Sequence, residues 1–561
     1  MTQLSYSHGA SDVPLLGETI GANFDRTVAR WGDRPGLISC AQGISWTYAE
    51  LGAKVDAFAA GLLALGLQPG ERIGIWSPNN AEWIVTQFAT AKAGLILVNI
   101  NPAYRLSEVE YALNKVGCRA LVTATRFKTS DYIGMVNTLA PELARSKPGH
   151  LDSAKLPHMR TVIQIGESAP GTVGFDTVYD MGGAAERARL AELAGVLQFD
   201  DPINIQFTSG TTGLPKGATL THHGILNNGF FDGETMHYTE ADKVCIPVPM
   251  YHCFGMVIGA LACVSHGAAI VFPGEGFDPL ATLQAVATER CTSLYGVPTM
   301  FIAQLDHPDF AKFDLTSLRT GMMAGAPCPI EVMRRCIRDM HLTEMTIGYG
   351  MTETSPVSTQ TKIGDPLEKQ TGSVGRAHPH VEIKIVDTEG KIVPRGTSGE
   401  LCTRGYVVML GYWDDRERTE QAIDKNGWMH TGDLATMDDD GYLNIVGRIK
   451  DMVIRGGENI YPREIEEFLY RHPAIQDVQV FGVPDKRFGE ELCAWVKIRA
   501  GMTLTADEVK AFCKDQIAHY KVPRHIQFVE EFPMTVTGKM QKFIMREKMT
   551  ETLGVVAAVT A

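Results

Sequence analysis

Leu51, Val55, Phe58 and Leu62 recur at helical spacing, which predicts a helix with that stripe turned inward. Thr47 and Glu50 stand ahead of it at the spacing of a capping box, and Gly66 supplies a stop. The pattern shortens to a strand at 72–76, returns to helical from about 81 to 93, and shortens again at 95–99. Ser107 and Glu110 read as a second capping box opening a helix, with a strand at 120–123 beyond it. This alternation predicts a mostly parallel sheet covered on both faces. From about 131 to 200 the pattern is weak and assigns little.

Ile203 to Phe207 alternate apolar and polar residues, as a half-buried strand does. Further strands are expected at 244–249, 293–297 and 344–347, with a strand end and turn at 322–327. Pro298 opens a helix. From about 371 to 446 the texture changes to short strands and turns, which predicts a small β-barrel or twisted sheet. The remainder is a compact α+β pattern. Ile465, Phe468 and Leu469 mark one helix, Val509, Phe512, Cys513 and Ile517 a second, with strands at 477–482, 492–498 and 526–529. The expected fold is α/β: a large N-terminal domain of doubly wound mixed sheets plus the small barrel, over 1–449, and a smaller α+β C-terminal domain over 450–561.

Composition narrows this picture without redirecting it. A chain of 561 residues is too long for one core, and 44% hydrophobic content is that of an ordinary globular protein. Net charge of −13 argues against nucleic acid as a partner. Eleven cysteines, none in a Cys-x-x-Cys pair, and a polar start with no signal-peptide pattern predict free thiols in a reducing cytoplasm. The longest apolar run, 255–272, is interrupted by Ser265, His266 and glycines. It reads as a buried helix and strand, so no transmembrane segment is expected.

The densest chemistry lies in Thr208-Ser209-Gly210-Thr211-Thr212-Gly213-Leu214-Pro215-Lys216-Gly217. Hydroxyls, glycines and a lysine in one loop suit a polyphosphate. It is not a Walker A loop, because Lys216 is followed by Gly217 rather than Ser or Thr. Three more clusters sit where strands are expected to end: Tyr251 to Gly255, Gly325-Ala326-Pro327, and Tyr349-Gly350-Met351-Thr352-Glu353. Ligands of open α/β sheets bind at such ends. Glu353 can hold Mg²⁺, Asp433 can accept hydrogen bonds from ribose hydroxyls with Arg448 beside it, and Tyr349 can stack on a base. Taken singly, such residues are more often solvated, capping or turn residues.

Their order changes that weighting. The loop 208–217, Tyr349 to Glu353, Thr431-Gly432-Asp433, Gly447-Arg448-Ile449-Lys450-Asp451 and the 533–539 stretch ending in Lys539 succeed one another as in adenylate-forming enzymes. That superfamily includes acyl-CoA synthetases, peptide-synthetase adenylation domains and firefly luciferase. Arg455 to Pro462 and Gly372-Ser-Val-Gly375 most resemble its fatty acyl-CoA synthetase branch, particularly the medium-chain members.

The resemblance implies ATP, Mg²⁺ and coenzyme A as cofactors and two half-reactions. A carboxylate first attacks the α-phosphorus of ATP, giving acyl-AMP and pyrophosphate; a CoA thiol then displaces AMP. It implies that Thr208 and Glu353 serve the metal and that Lys539 bridges carboxylate and α-phosphate. Lys450 would be the hinge of a mobile C-terminal domain, whose rotation brings Gly456 and Gly457 to the pantetheine arm. His252, Phe254, Met256, Val297 and Gly325 would line the acyl site, with His252 also counted catalytic. Met256 stands where long-chain relatives carry a gating Trp, and 247–259 holds no Lys or Arg. A hydrophobic monocarboxylate is therefore expected, with a homodimer compatible. The alternatives are an aryl-CoA ligase, an acyl-AMP ligase loading a carrier protein, a luciferase-like oxidase, and a nucleotide-binding protein without catalysis.

Overall fold

Thr47 Oγ1 accepts the Glu50 backbone N–H at 3.2 Å, and Glu50 accepts the Thr47 N–H at 2.8 Å. This capping box starts the helix Tyr48–Ala64, whose Leu51, Val55, Phe58 and Leu62 are fully buried. The second expected box is displaced. The helix is Leu106–Lys115, and the Arg105 N–H goes to Glu108, because Glu108 rather than Glu110 stands three residues past the cap. The computed structural model describes residues 3–208, 215–455, 458–485, 487–514, 516–535 and 540–555.

Two large sheets carry the N-terminal domain. The first orders Val173–Gly174, Thr161–Gln164, Cys118–Thr123, Arg72–Trp76, Ile96–Asn99, Pro202–Thr208, Lys216–Thr221 and Gly411–Tyr412. Its neighbours run parallel as far as Pro202–Thr208 and antiparallel beyond. The second has a parallel centre of Glu344–Gly350, Thr320–Ala324, Ser293–Gly296, Lys243–Cys245, Ala269–Phe272 and Pro35–Ser39, with antiparallel strands at both edges.

Several expectations change here. The weak stretch holds the helices Tyr132–Leu139 and Ala184–Val196. The latter buries only Leu190 and Leu193, too little to print a stripe on the sequence. The strand expected at 244–249 shortens to Lys243–Cys245, while the one at 344–347 lengthens to Gly350. A Cβ at Gly350 would lie 1.8 Å from the Pro356 carbonyl oxygen, so only glycine carries the ladder this far. Asn204 and Gln206, expected to face solvent, are buried, and the alternation of 203–206 separates an apolar face from a buried polar one.

The barrel-like region is a five-stranded antiparallel sheet: Tyr6–His8, Val381–Val386, Gly399–Gly405, Met429–Met437 and Leu443–Arg448. Its first strand comes from the start of the chain, which no pattern marked. The C-terminal domain packs Pro462–Leu469 and Ala506–Cys513 on a sheet built around Ile475–Asp485 and Gly489–Ile498. Its hydrophobic cluster, including Ile465, Val480, Val496 and Val509, is its own. Among the described residues no helix is long and apolar enough to cross a membrane.

Candidate active site

The strand Pro202–Thr208 ends by presenting Thr208, whose hydroxyl donates to Glu353 Oε1 at 3.1 Å. The Tyr412 hydroxyl donates to the same oxygen at 2.9 Å, and Lys216 Nζ donates to Tyr412 O at 3.1 Å. Lys216 also lies 4.3 Å from the Tyr412 ring centroid, within cation–π range. Burial raises the Tyr412 pKa, and the Glu353 carboxylate adds to it, so the phenol stays protonated and donates. Tyr412 reaches this place on a two-residue strand paired to Lys216–Thr221. Of the residues closing the glycine-rich loop, Thr208 thus meets the buried Glu353 carboxylate directly and Lys216 meets it through Tyr412. Ser209, Gly210, Thr211, Thr212 and Gly213 lie outside the described residues.

A second carboxylate stands midway along Met429–Met437. Asp433 pairs with Arg448 across the ladder; Arg448 Nε lies 3.1 Å from Oδ1, and the Tyr349 hydroxyl donates to Oδ2 at 2.7 Å. Burial first and Asp433 second raise the Tyr349 pKa. Each Asp433 oxygen keeps a second lone pair for a sugar hydroxyl. Gly350 ends the same strand as Tyr349, followed by Met351 and the short turn Thr352–Thr354 that sets Glu353.

Tyr251 to Met256 dock on the strand that leads to Thr208. Cys253 Sγ donates to Gln206 Oε1 at 3.1 Å. Met256 Sδ receives amide N–H groups from Asn99 and Gln206 at 3.4 and 3.5 Å. Met256 therefore sits among amides as well as apolar groups. The Phe254 N–H donates to His252 Nδ1 at 3.2 Å, so His252 caps the first turn of the π-helix Phe254–Leu261. Val297 and Gly325 adjoin at the ends of neighbouring parallel strands; a Cβ on Gly325 would lie 3.3 Å from Val297 Cγ1. Gly325 has φ +82°, turning the chain into Ala326 and Pro327.

Lys450 lies in the turn Ile449–Asp451 directly after Arg448. Desolvation lowers its pKa, with Arg448 adding to the effect. Beyond it Arg455 pairs with Glu491 through contacts of 2.6 and 2.9 Å, anchoring the hairpin within the C-terminal domain. Gly456, Gly457 and Lys539 lie outside the described residues; Met534 and Met540 bridge on either side of the last. The C-terminal domain touches the body where Arg463 donates to the Ile445 carbonyl at 2.9 Å and Arg499 lies 3.4 Å from Asp306.

The fold brings together Thr208, Lys216 and Glu353, and separately Tyr349, Asp433 and Arg448. Residue choice from motifs missed Tyr412, for which a tyrosine between Gly411 and Trp413 offers no chemical signal.

Residues 24–413 match the family model described as AMP-binding enzyme, and 464–539 match that of the AMP-binding enzyme C-terminal domain. The chain is 49% identical over 553 residues to medium-chain acyl-CoA ligase ACSF2, mitochondrial, of Danio rerio, covering 98% of this chain and 91% of that one. It is 48% identical to the putative acyl-CoA synthetase YngI of Bacillus subtilis (strain 168), covering 96% and 98%. Among solved structures, the anthranilate CoA ligase AuaEII in complex with anthranoyl-AMP superposes with a TM-score of 0.85 at 25% identity, covering 97% and 99%.

Proposed function

The chain belongs to the AMP-binding enzyme family, and on that premise we propose that it is an ATP-dependent acyl-CoA ligase acting on a medium-chain fatty acid through an acyl-AMP intermediate. The observation that carries this reading is the hydrogen-bonded series Thr208–Glu353–Tyr412–Lys216 at the two ends of the phosphate loop.

In the first half-reaction a carboxylate oxygen bonds to the α-phosphorus as the bond to pyrophosphate breaks. Lys216 offsets charge on the departing phosphates, and Tyr412 holds that ammonium in place. Lys539, by the motif it ends, brings a cation between carboxylate and α-phosphate, two anions that otherwise repel. Asp433 and Arg448 hold the ribose, and Gly325 to Pro327 with Tyr349 to Thr352 enclose the adenosine. The donors around Glu353 are carboxylate and hydroxyl oxygens, the set a hard cation takes, so Glu353 and Thr208 fit Mg²⁺. When bound, that ion supplies charge neutralisation at the phosphates.

In the second half-reaction the CoA sulfur bonds to the acyl carbon, the bond to AMP breaks, and the thiol proton leaves to solvent. The same acyl carbon must then meet a different group. We place the domain boundary at Lys450, with 1–449 as the adenylation body and 450–561 as a lid that turns about this residue, withdrawing Lys539 and bringing Gly456 and Gly457 to the pantetheine arm.

His252 fixes the start of the acyl-lining helix, and Phe254, Met256 and Val297 contact the chain. A cytoplasmic setting is supported by the eleven cysteines, ten of which are buried in the fold. An aryl acid is the second reading, favoured by the fold's likeness to the anthranilate ligase.

ATP–pyrophosphate exchange with C4 to C16 acids and benzoates, followed by thioester detection with CoA, tests the substrate assignment. Exchange is expected to peak within C6 to C12; a benzoate optimum would select the aryl reading. Lys539→Ala is expected to abolish exchange while leaving thioester formation from supplied acyl-AMP largely intact. An equal loss in both half-reactions would overturn the alternating lid.

A further inference from the structure

On two neighbouring strands of the small sheet, three metal-ligating side chains converge that the adenylation chemistry leaves unused. Glu400 and Cys402 lie on Gly399–Gly405, and His430 lies on the neighbouring Met429–Met437. His430 Nδ1 is 2.9 Å from Glu400 Oε2 and 3.6 Å from Cys402 Sγ, and the three donor atoms all lie within 4.8 Å of one another. Donor atoms on a tetrahedral zinc ion stand about 3.3–3.8 Å apart, so small side-chain rotations suffice. Cys402 is fully buried, whereas the side chains of His430 and Glu400 are 33% and 23% exposed, leaving a solvent-side path and room for a fourth ligand.

The ladder places this cluster at an irregularity. Glu400 pairs with Leu434 and Cys402 with His430, so Thr431, Gly432 and Asp433 bulge opposite Leu401. Glu400 spans it: Oε2 meets His430 while Oε1 accepts the Gly432 N–H at 3.1 Å. Gly432 has φ +70°, and Asp433 is the next residue. Bulges of this kind aim side chains into sites.

We propose that Glu400, Cys402 and His430 form a Zn²⁺ site that controls the bulge carrying Asp433, and so the enzyme's use of ATP. On binding, the Cys402 thiol gives its proton to solvent, and the imidazole proton moves from Nδ1 to Nε2, freeing Nδ1 for the metal. Carboxylate and thiolate then balance the dication, which suits a partly buried place. Pulling Glu400 toward the metal loosens its hold on Gly432 and shifts Asp433. The regulatory half of the proposal rests on the ATP reading above; the binding half does not.

Titration of the full chain with Co²⁺ is expected to give one cobalt per chain, with a near-ultraviolet thiolate charge-transfer band that Zn²⁺ abolishes. Cys402→Ser should lose the band and keep basal ligase activity, while Cys40→Ser should keep the band. Glu400→Gln, which retains an oxygen for Gly432, should weaken cobalt binding about 10-fold. With excess Mg²⁺, Zn²⁺ is expected to raise the KM for ATP several-fold in the native chain and not in Cys402→Ser. No band, a band that survives in Cys402→Ser, or equal Zn²⁺ sensitivity in both proteins would overturn the proposal. Should Cys402→Ser fail to fold by circular dichroism, the Glu400→Gln titration decides, and unchanged affinity there overturns it. Absence of ligase activity with every acid, beside intact cobalt binding, would instead overturn the ATP reading.

Discussion

Tyr412 shows what a single hydroxyl can organise. It donates to Glu353 and accepts from Lys216, so one atom couples a carboxylate to the cation of the phosphate loop. Tyr412→Phe keeps the ring under the Lys216 ammonium but removes both hydrogen bonds. A bond to a charged group contributes about 1.5–3 kcal/mol, so kcat/KM for ATP in pyrophosphate exchange is expected to fall about 10- to 100-fold. The KM for the acid should not move, and a matching rise there would refute the assignment to the phosphates. At this scale the sequence revealed residues whose types are unusual together, such as Thr208, Lys216, Glu353 and Asp433. Tyr412 was hidden because its partners are 59 and 196 residues away, and its own strand is two residues long. His252 Nδ1 accepts the Phe254 N–H where the acyl-lining helix begins, a contact that residue spacing alone does not reveal.

Among the elements, the strand Pro202–Thr208 is the most instructive. Its alternation was legible, yet period two reports only that the two faces differ, not that one is wet. Asn204 and Gln206 turn inward because Gln87, Asn99 and Met256 already make a polar interior there. The turn Ile449–Asp451 is the complementary case, three residues between two sheets. Lys450→Pro restricts its own φ and the residue before it. The expected outcome is a CoA-transfer rate at least several-fold lower with exchange little changed, read by separate assays of the two half-reactions. Parallel loss of both would mean that the turn is structural only. Elements with long apolar stripes, such as Tyr48–Ala64 and Ala81–Ala93, were readable almost to the residue, whereas Ala184–Val196 was not, since it buries so little.

For the whole molecule, electrostatics adds a test independent of ligands. Burial pushes the His222 pKa down to about 3, while its Nδ1 accepts the Ile20 N–H at 3.1 Å. The folded value lies below the ordinary value of 6.5, so the unfolded chain binds the extra proton. This residue's contribution is therefore complete above pH 6.5 and is lost progressively as pH falls toward 3. His222→Asn keeps an acceptor for Ile20 without a titrating ring. The stability advantage of the native chain over that variant, from denaturant midpoints, should shrink by about 2 kcal/mol between pH 7 and pH 5. A constant gap would show that the ring is solvated. The large-scale architecture was the most legible level, because alternating strand and helix leave few ways to cover a parallel sheet. What stayed hidden was the reach of the chain's beginning. Tyr6–His8 pairs with Val381–Val386, and Leu4 bridges to Pro394. During synthesis that first strand must wait, unpaired, until its partner some 375 residues later has left the ribosome. The small sheet therefore closes late although it starts first in sequence, and an extension fused at the N-terminus would act on a late step of folding rather than the first.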